Sequence, residues 1–151
     1  MKILLAVDDS EYSAAATKEV AKRPWPTGTT VRVLTVVEPF PSIAIEPWYG
    51  MSESLERIDQ VVQKRGRELT KKTAEGLKKK GIKLESAVRN GDAREEIVHE
   101  AEKWAADLVV MGSHGYTGIK RLLLGSVALS VVSHAPCSVE VVRRKQKKTR
   151  S

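Results

Sequence analysis

Short apolar runs alternate with stretches whose apolar residues recur at helical spacing. Residues 2 to 8 (KILLAVD) are nearly continuous in hydrophobicity and end in acids, as a buried parallel strand does. Ser10 is placed to cap a helix carrying Ala14, Ala15, Val20 and Ala21, and Pro24 stops it. The β-branched run 31 to 37 (VRVLTVV) predicts a second strand. Pro39, Pro41 and Pro47 then mark an irregular loop through about Gly50. A long helix follows, with Leu55, Ile58, Val62, Leu69, Thr73 and Leu77 on one stripe and Gly81 as its terminator. Residues 82 to 89 predict a third strand, less apolar and therefore nearer an edge. Asn90-Gly91-Asp92 turns the chain into a helix from Ala93 to about Ala106, with Ile97, Val98, Ala101 and Trp104 inward. Residues 107 to 112 predict a fourth strand, Ser126 to Ser133 a last helix, and Ser138 to Arg143 a fifth strand. This alternation implies an α/β fold: an open, five-stranded parallel sheet with helices on both faces.

Composition narrows the class. The 151 residues, 41% apolar and 30% charged, fit a single globular domain with a full core. No apolar run is long enough to cross a membrane, and the first strand is too short for a signal-peptide core. A single cysteine, Cys137, cannot form an internal disulfide, so a cytoplasmic location is expected. The net charge of +7 suggests a polyanion partner, but residues 143 to 151 (RRKQKKTRS) carry six Lys/Arg and no acid, leaving the body at +1. The basic residues between 64 and 83 are interspersed with Glu68 and Glu75, which reads as a solvated face. No aromatics interleave with either stretch, as single-strand binding requires. Nucleic-acid contact is therefore expected only through the tail.

The segment Gly112-Ser113-His114-Gly115-Tyr116-Thr117-Gly118, continued by Gly125-Ser126-Val127-Ala128, runs from the end of strand four to the start of a helix. Open parallel sheets bind ligands beyond the carboxyl ends of their strands. Glycines let the backbone approach a ligand, and the first N–H groups of a helix favour an anion. The chemistry implied is a phosphate cradle. It is not a Walker A loop, because Ser126-Val127 follows Gly125 where Lys-Ser or Lys-Thr would be needed, and the first strand leads into Asp8-Asp9-Ser10 rather than a dinucleotide fingerprint. The alternative is that these glycines only make turns.

Gly112-x2-Gly115-x9-Gly125-Ser126 resembles the nucleotide-binding pattern of the universal stress proteins. So do ILLAVDDSEYS, RVLTVVEP, MGSHGYTGIKRLLLGSVA and HAPCSVEVVR, which together extend the likeness over residues 1 to 143. The resemblance implies strand order 3-2-1-4-5, homodimers formed through strand five (residues 138–143), and ATP as ligand. It implies one family domain over 1–143, followed by a basic disordered tail at 144–151. By the same resemblance Asp8 accepts hydrogen bonds from the ribose hydroxyls, and Val36 meets the adenine edge through its backbone. Met111 and Gly112 line the ribose side, and Gly115, Gly125, Ser126 and Val127 offer donors to phosphates. Three positions depart from the family: Asp9 where Gly is common, Tyr116 where Arg or Lys is common, and Ala128, which lacks a hydroxyl found in some ATP binders.

Asp8-Asp9 also resembles the acidic pair of a phospho-acceptor receiver domain. However, strand three ends in Arg89-Asn90-Gly91, without the further aspartate that chemistry needs. Mg²⁺ bridging Asp8 and a triphosphate fits a cation that prefers few carboxylates plus phosphates. His99, His114 and His134 have no metal-ligand spacing; His114 lies within the cradle and is a candidate phosphate contact. Cys137 reads as a small core residue, and Lys120 and Arg121 as solvated residues or γ-phosphate partners. Trp48 and Tyr49 suggest a lid or dimer contact in the long loop. The expected function is a cytoplasmic, nucleotide-responsive homodimer in the stress response, acting on a protein partner that the sequence does not identify. Slow ATP hydrolysis is the alternative.

Overall fold

The computed structural model describes residues 1–39, 51–115 and 123–145, without the side chains of 51–53. Five strands and four helices alternate: β1 (Lys2–Ala6), α1 (Glu11–Lys22), β2 (Thr30–Val37), α2 (Met51–Gly76), β3 (Lys83–Asn90), α3 (Ala93–Lys103), β4 (Leu108–Gly112), α4 (Ser126–His134) and β5 (Ser138–Val142). The sheet is parallel, in the order β3-β2-β1-β4-β5, as the family resemblance implies. β3 is an edge strand, in keeping with its mixed polarity.

Side-chain alternation sorts the strands onto two faces. Ile3, Leu5 and Val7 join Val31, Val33 and Val110 under Ala16 and Val20 of α1 and Ala74 of α2, with Leu77 just beyond it. Leu4 and Ala6 join Leu34, Val109 and Met111 under Ile97 and Ala101 of α3 and Ala128 and Val131 of α4. Each central strand thus buries both faces, which is why its sequence reads as a continuous apolar run. α3 is held across β2 and β3 by the buried carboxylate of Glu100. It accepts from Arg32 at 2.7 Å and from Arg89 at 2.8 and 3.1 Å, while the Arg32 guanidinium stacks over Trp104 at 4.3 Å. With both oxygens engaged, the buried charge is compensated.

The caps follow the expected chemistry. Ser10 Oγ accepts from the Ser13 N–H and starts α1. Asp92 accepts from the Arg94 N–H and starts α3. Gly91, at φ +144°, makes the turn that precedes it.

α2 departs from expectation in two ways. It ends at Gly76, and Gly81, at φ +85°, serves the turn into β3 instead. Its buried face is Gly66, Thr70 and Ala74, whereas Leu55, Ile58 and Val61 are 40%, 43% and 52% exposed. The reason is length. A Cβ on Gly66 would sit 3.2–3.3 Å from Thr35, Val37 and Val88, at the carboxyl ends of β2 and β3. Residues 51 to about 62 of α2 therefore extend roughly 18 Å past the sheet. The other boundaries agree within a few residues: β1 ends at Ala6, α3 at Lys103, and β5 at Val142. Pro41, Pro47, Trp48, Tyr49 and Gly50 lie outside the described residues, as do Tyr116, Gly118, Lys120, Arg121 and most of the tail.

Candidate functional site

β1 stops at Ala6 while β2 runs on to Val37, and the gap between them opens a cleft of about 250 Å³ at the carboxyl end of the sheet. Its walls are largely apolar: Ala6, Leu34, Val36 and Met111 from the strands, Ala93 and Ile97 from α3, Val127 and Ala128 from α4. Its polar lining comes from Asp8, Ser13, Glu38, His114 and Gly115. A slot of this kind suits a flat apolar ring with a polar substituent.

The β1–β2 ladder ends at Ala6↔Leu34, followed by a bond from the Val7 N–H to the Leu34 carbonyl at 2.8 Å. In a parallel ladder alternate residues turn their N–H and C=O to alternate sides. Val37 faces β3, where its carbonyl accepts from the Gly91 N–H at 3.1 Å, so Val36 faces the side that β1 has vacated. Its backbone therefore presents a donor and an acceptor to the cleft, two residues beyond the last bond to β1.

Asp8 is fixed by the turn into α1. Its N–H donates to Ser13 Oγ at 2.9 Å, and its Oδ1 accepts from the Ser10 N–H at 2.8 Å. Oδ2 faces Gly115: a Cβ there would lie 3.2 Å from it. Ser13 has no part in the sequence prediction, although Asp8-x-Ser10-x-x-Ser13 is the signal that links them. His114 is held by its Nδ1 against Ser113 Oγ at 2.9 Å, with its ring 5.0 Å from that of Tyr12.

The cleft thus brings together Asp8, Val36, Met111, Gly112, His114, Gly115 and Val127 of the sequence-predicted residues. Gly125 and Ser126 lie just outside its lining. Two of the glycines also have structural duties. The Gly125 N–H donates to the Ser113 carbonyl at 2.7 Å and closes the turn that leads into α4. Gly112 lines the cleft but has a packing duty as well, because a Cβ would fall 2.7 Å from the Tyr12 carbonyl carbon. Ser113, absent from the prediction, is the hub of this turn: its N–H donates to the Val142 carbonyl at 3.0 Å, tying β5 to the same point.

Beyond Gly125, α4 begins without a side-chain cap. The N–H groups of Ser126, Val127 and Ala128 precede the first intrahelical bond, which runs from Leu129 to Gly125. This end of α4 carries the positive pole of the helix dipole toward the cleft.

Cys137, His99 and His134 lie outside the cleft lining. Cys137 is half-buried, and burial first, then the nearby charge of Asp107, pushes its thiol above the ordinary range, the opposite of an activated nucleophile. His99 and His134 are exposed, and no cluster of three metal-ligating side chains exists among the described residues. No helix there is long and apolar enough to cross a membrane.

The sequence profile of the universal stress protein family matches residues 1–143. Universal stress protein MJ0531 of Methanocaldococcus jannaschii is 36% identical over 97% of this chain and 84% of its own length. The solved structure of MJ0577 from the same organism superposes with a TM-score of 0.81 at 29% identity, over 97% of each chain. An Arabidopsis thaliana family structure with AMP bound has the same fold, at 19% identity and TM-score 0.63, over 100% of this chain and 96% of its own. Sheet order, strand-end cleft and a match spanning nearly every residue agree: the chain belongs to the universal stress protein family.

Proposed function

We propose that the protein binds an adenine nucleotide, ATP, in the strand-end cleft and acts as a nucleotide-responsive module of the cytoplasmic stress response. The observation that carries this reading is the meeting, in one apolar slot, of Val36's outward backbone pair and Asp8's carboxylate. A purine edge pairs with one N–H and one C=O, a ribose donates hydroxyls to a fixed carboxylate, and the slot walls cover the ring faces. Val127 and Ser126 supply first-turn N–H groups to the phosphates, with Gly115 alongside, and His114 flanks them. Asp8, with phosphate oxygens, forms the donor set that Mg²⁺ prefers. The AMP bound by the Arabidopsis relative supports an adenine nucleotide as ligand. Bound ATP supplies a polyanionic tail and binding free energy.

The proposed mechanism is linkage: nucleotide orders the turn around Ser113 and Gly125, and the affinity for a protein partner changes with occupancy. The homodimer is proposed to form through β5, whose outer edge pairs with no strand among the described residues and so offers backbone groups to a second copy. Fluorescent ATP titrated into the protein, with ATP, AMP, cyclic AMP and GTP as competitors, tests the ligand. ATP is expected to compete best and GTP weakly, because the Val36 backbone edge matches adenine. Equal competition by GTP, or no binding, overturns the reading.

A further inference from the structure

The near-neutral body is bipolar. Residues 64–83 hold nine Lys/Arg against Glu68 and Glu75, a net +7, while everything outside this stretch and the tail holds 11 cations and 17 acids, a net −6. Gly66, Thr70 and Ala74 turn inward, so Lys64, Arg65, Arg67, Lys71 and Lys72 cover the outer side of α2, all exposed. Basic residues recur at sevens, Lys64, Lys71 and Lys78 in one row and Arg65, Lys72 and Lys79 in another. Within the helix, seven residues are two turns, a repeat of about 10.5 Å. Past the end of α2, Lys78, Lys79 and Lys80 rim a shallow depression beside Ile82 and Leu84.

A merely solvated helix carries alternating charges that pair along its surface. Here Lys64–Glu68, at 4.0 Å, is the one ion pair these nine cations make among the described residues. Elsewhere Arg23, Arg32, Arg89, Arg94 and Arg144 each meet a carboxylate. Arg65 and Arg67 do not.

We propose that this outer face of α2, continued through Lys78–Lys80 and Lys83, docks double-stranded nucleic acid through its phosphates without reading sequence. A duplex is a stiff rod carrying about one charge per 1.7 Å, which suits cation rows fixed along a straight helix. Residues 54–83 contain no Phe, Tyr or Trp, so there is no platform on which single-strand bases could stack. A membrane fits less well, because residues 64–83 expose no large apolar side chain for insertion. The face lies on the α1/α2 layer, whereas the cleft is walled by α3 and α4 on the other, so its occupant does not compete with nucleotide.

The test is fluorescence anisotropy of a short mixed-sequence DNA duplex with the full chain, from about 50 to 200 mM KCl. Lys71→Gln, Lys72→Gln, Lys78→Gln and Lys79→Gln are combined in one variant; all four side chains are exposed, so fold and cleft are retained. A second variant neutralises Lys145, Lys147, Lys148 and Arg150 of the tail. The α2 variant is expected to bind at least tenfold more weakly, with the slope of log affinity against log salt flattened by about 3.6, or 0.9 per lost contact. The tail variant is expected to keep most of the slope. Absence of duplex binding at the lowest salt overturns the proposal, as does loss confined to the tail variant. So does capture of the chain by phosphatidylserine vesicles that the duplex fails to displace.

Discussion

A methyl group added at Gly112 would sit 2.7 Å from the Tyr12 carbonyl carbon and 2.8 Å from its oxygen, both backbone atoms of α1. Nothing there can swing aside, so Gly112→Ala must push α1 off β4, at a cost of about 1–3 kcal/mol. Three residues on, a methyl at Gly115 meets a single carboxylate oxygen, Asp8 Oδ2, at 3.2 Å. Gly115→Ala is therefore expected to leave folding stability within about 0.5 kcal/mol of wild type while weakening nucleotide binding, because the methyl occupies the space beside the ribose acceptor. Urea unfolding read alongside fluorescent-ATP titration separates the two variants; equal losses of stability would show that Gly115 is also a packing residue. The glycine pattern marks both positions as special. It cannot tell them apart, because a missing Cβ does not say which neighbour forbids it. The same blindness explains Gly125, whose N–H is engaged by Ser113 across a turn that periodicity does not describe.

Elements were far more legible than contacts, because period two and period 3.6 arise within a segment and need no knowledge of its partner. Hence the strands, the α1 cap at Ser10 and the edge position of β3 follow from the chain alone. The predicted α2 stripe misplaced Leu55 and Ile58 because periodicity reports a face but not the point at which the sheet beneath it ends. Ala93 and Ile97 escaped notice as cleft residues for the same reason: on α3 they look like any inward positions. The start of α3 carries its own prediction. Asp92 caps it and is held by the Arg94 side chain first, then by the Arg94 N–H, so its carboxyl lies at about 2 rather than 3.8. A lowered pKa stabilises the fold above the unfolded value, and that contribution is lost as pH falls from about 4 through 2. Carboxyl NMR should place the Asp92 midpoint near 2 and move it upward in Arg94→Ala. In wild type, acid should fray the α3 turn bearing Ala93 before the strands open. An Asp92 midpoint at the ordinary value would remove the cap–arginine pair from the argument.

Both helical layers and the three central strands meet at the cleft: Ser13 comes from α1, Ile97 from α3, Ala128 from α4, and the floor from β1, β2 and β4. A ligand there touches residues of both core clusters, Val7 of one and Leu34 and Ile97 of the other, and it has no counterpart in the unfolded chain. Nucleotide must then raise global stability by mass action, by about 2.7 kcal/mol at a hundredfold excess over Kd. For a chain of this size that is a rise in Tm of roughly 5–10 °C. Thermal unfolding with millimolar ATP, with and without MgCl₂, measures it. Gly115→Ala should start from the wild-type Tm and show a smaller rise. The α2 lysine variant should rise as wild type does, because its substitutions lie on the opposite layer from α3 and α4. A wild-type Tm that ignores ATP under both conditions would remove nucleotide from the cleft and leave the α2 proposal untouched, because that face lies on the other layer.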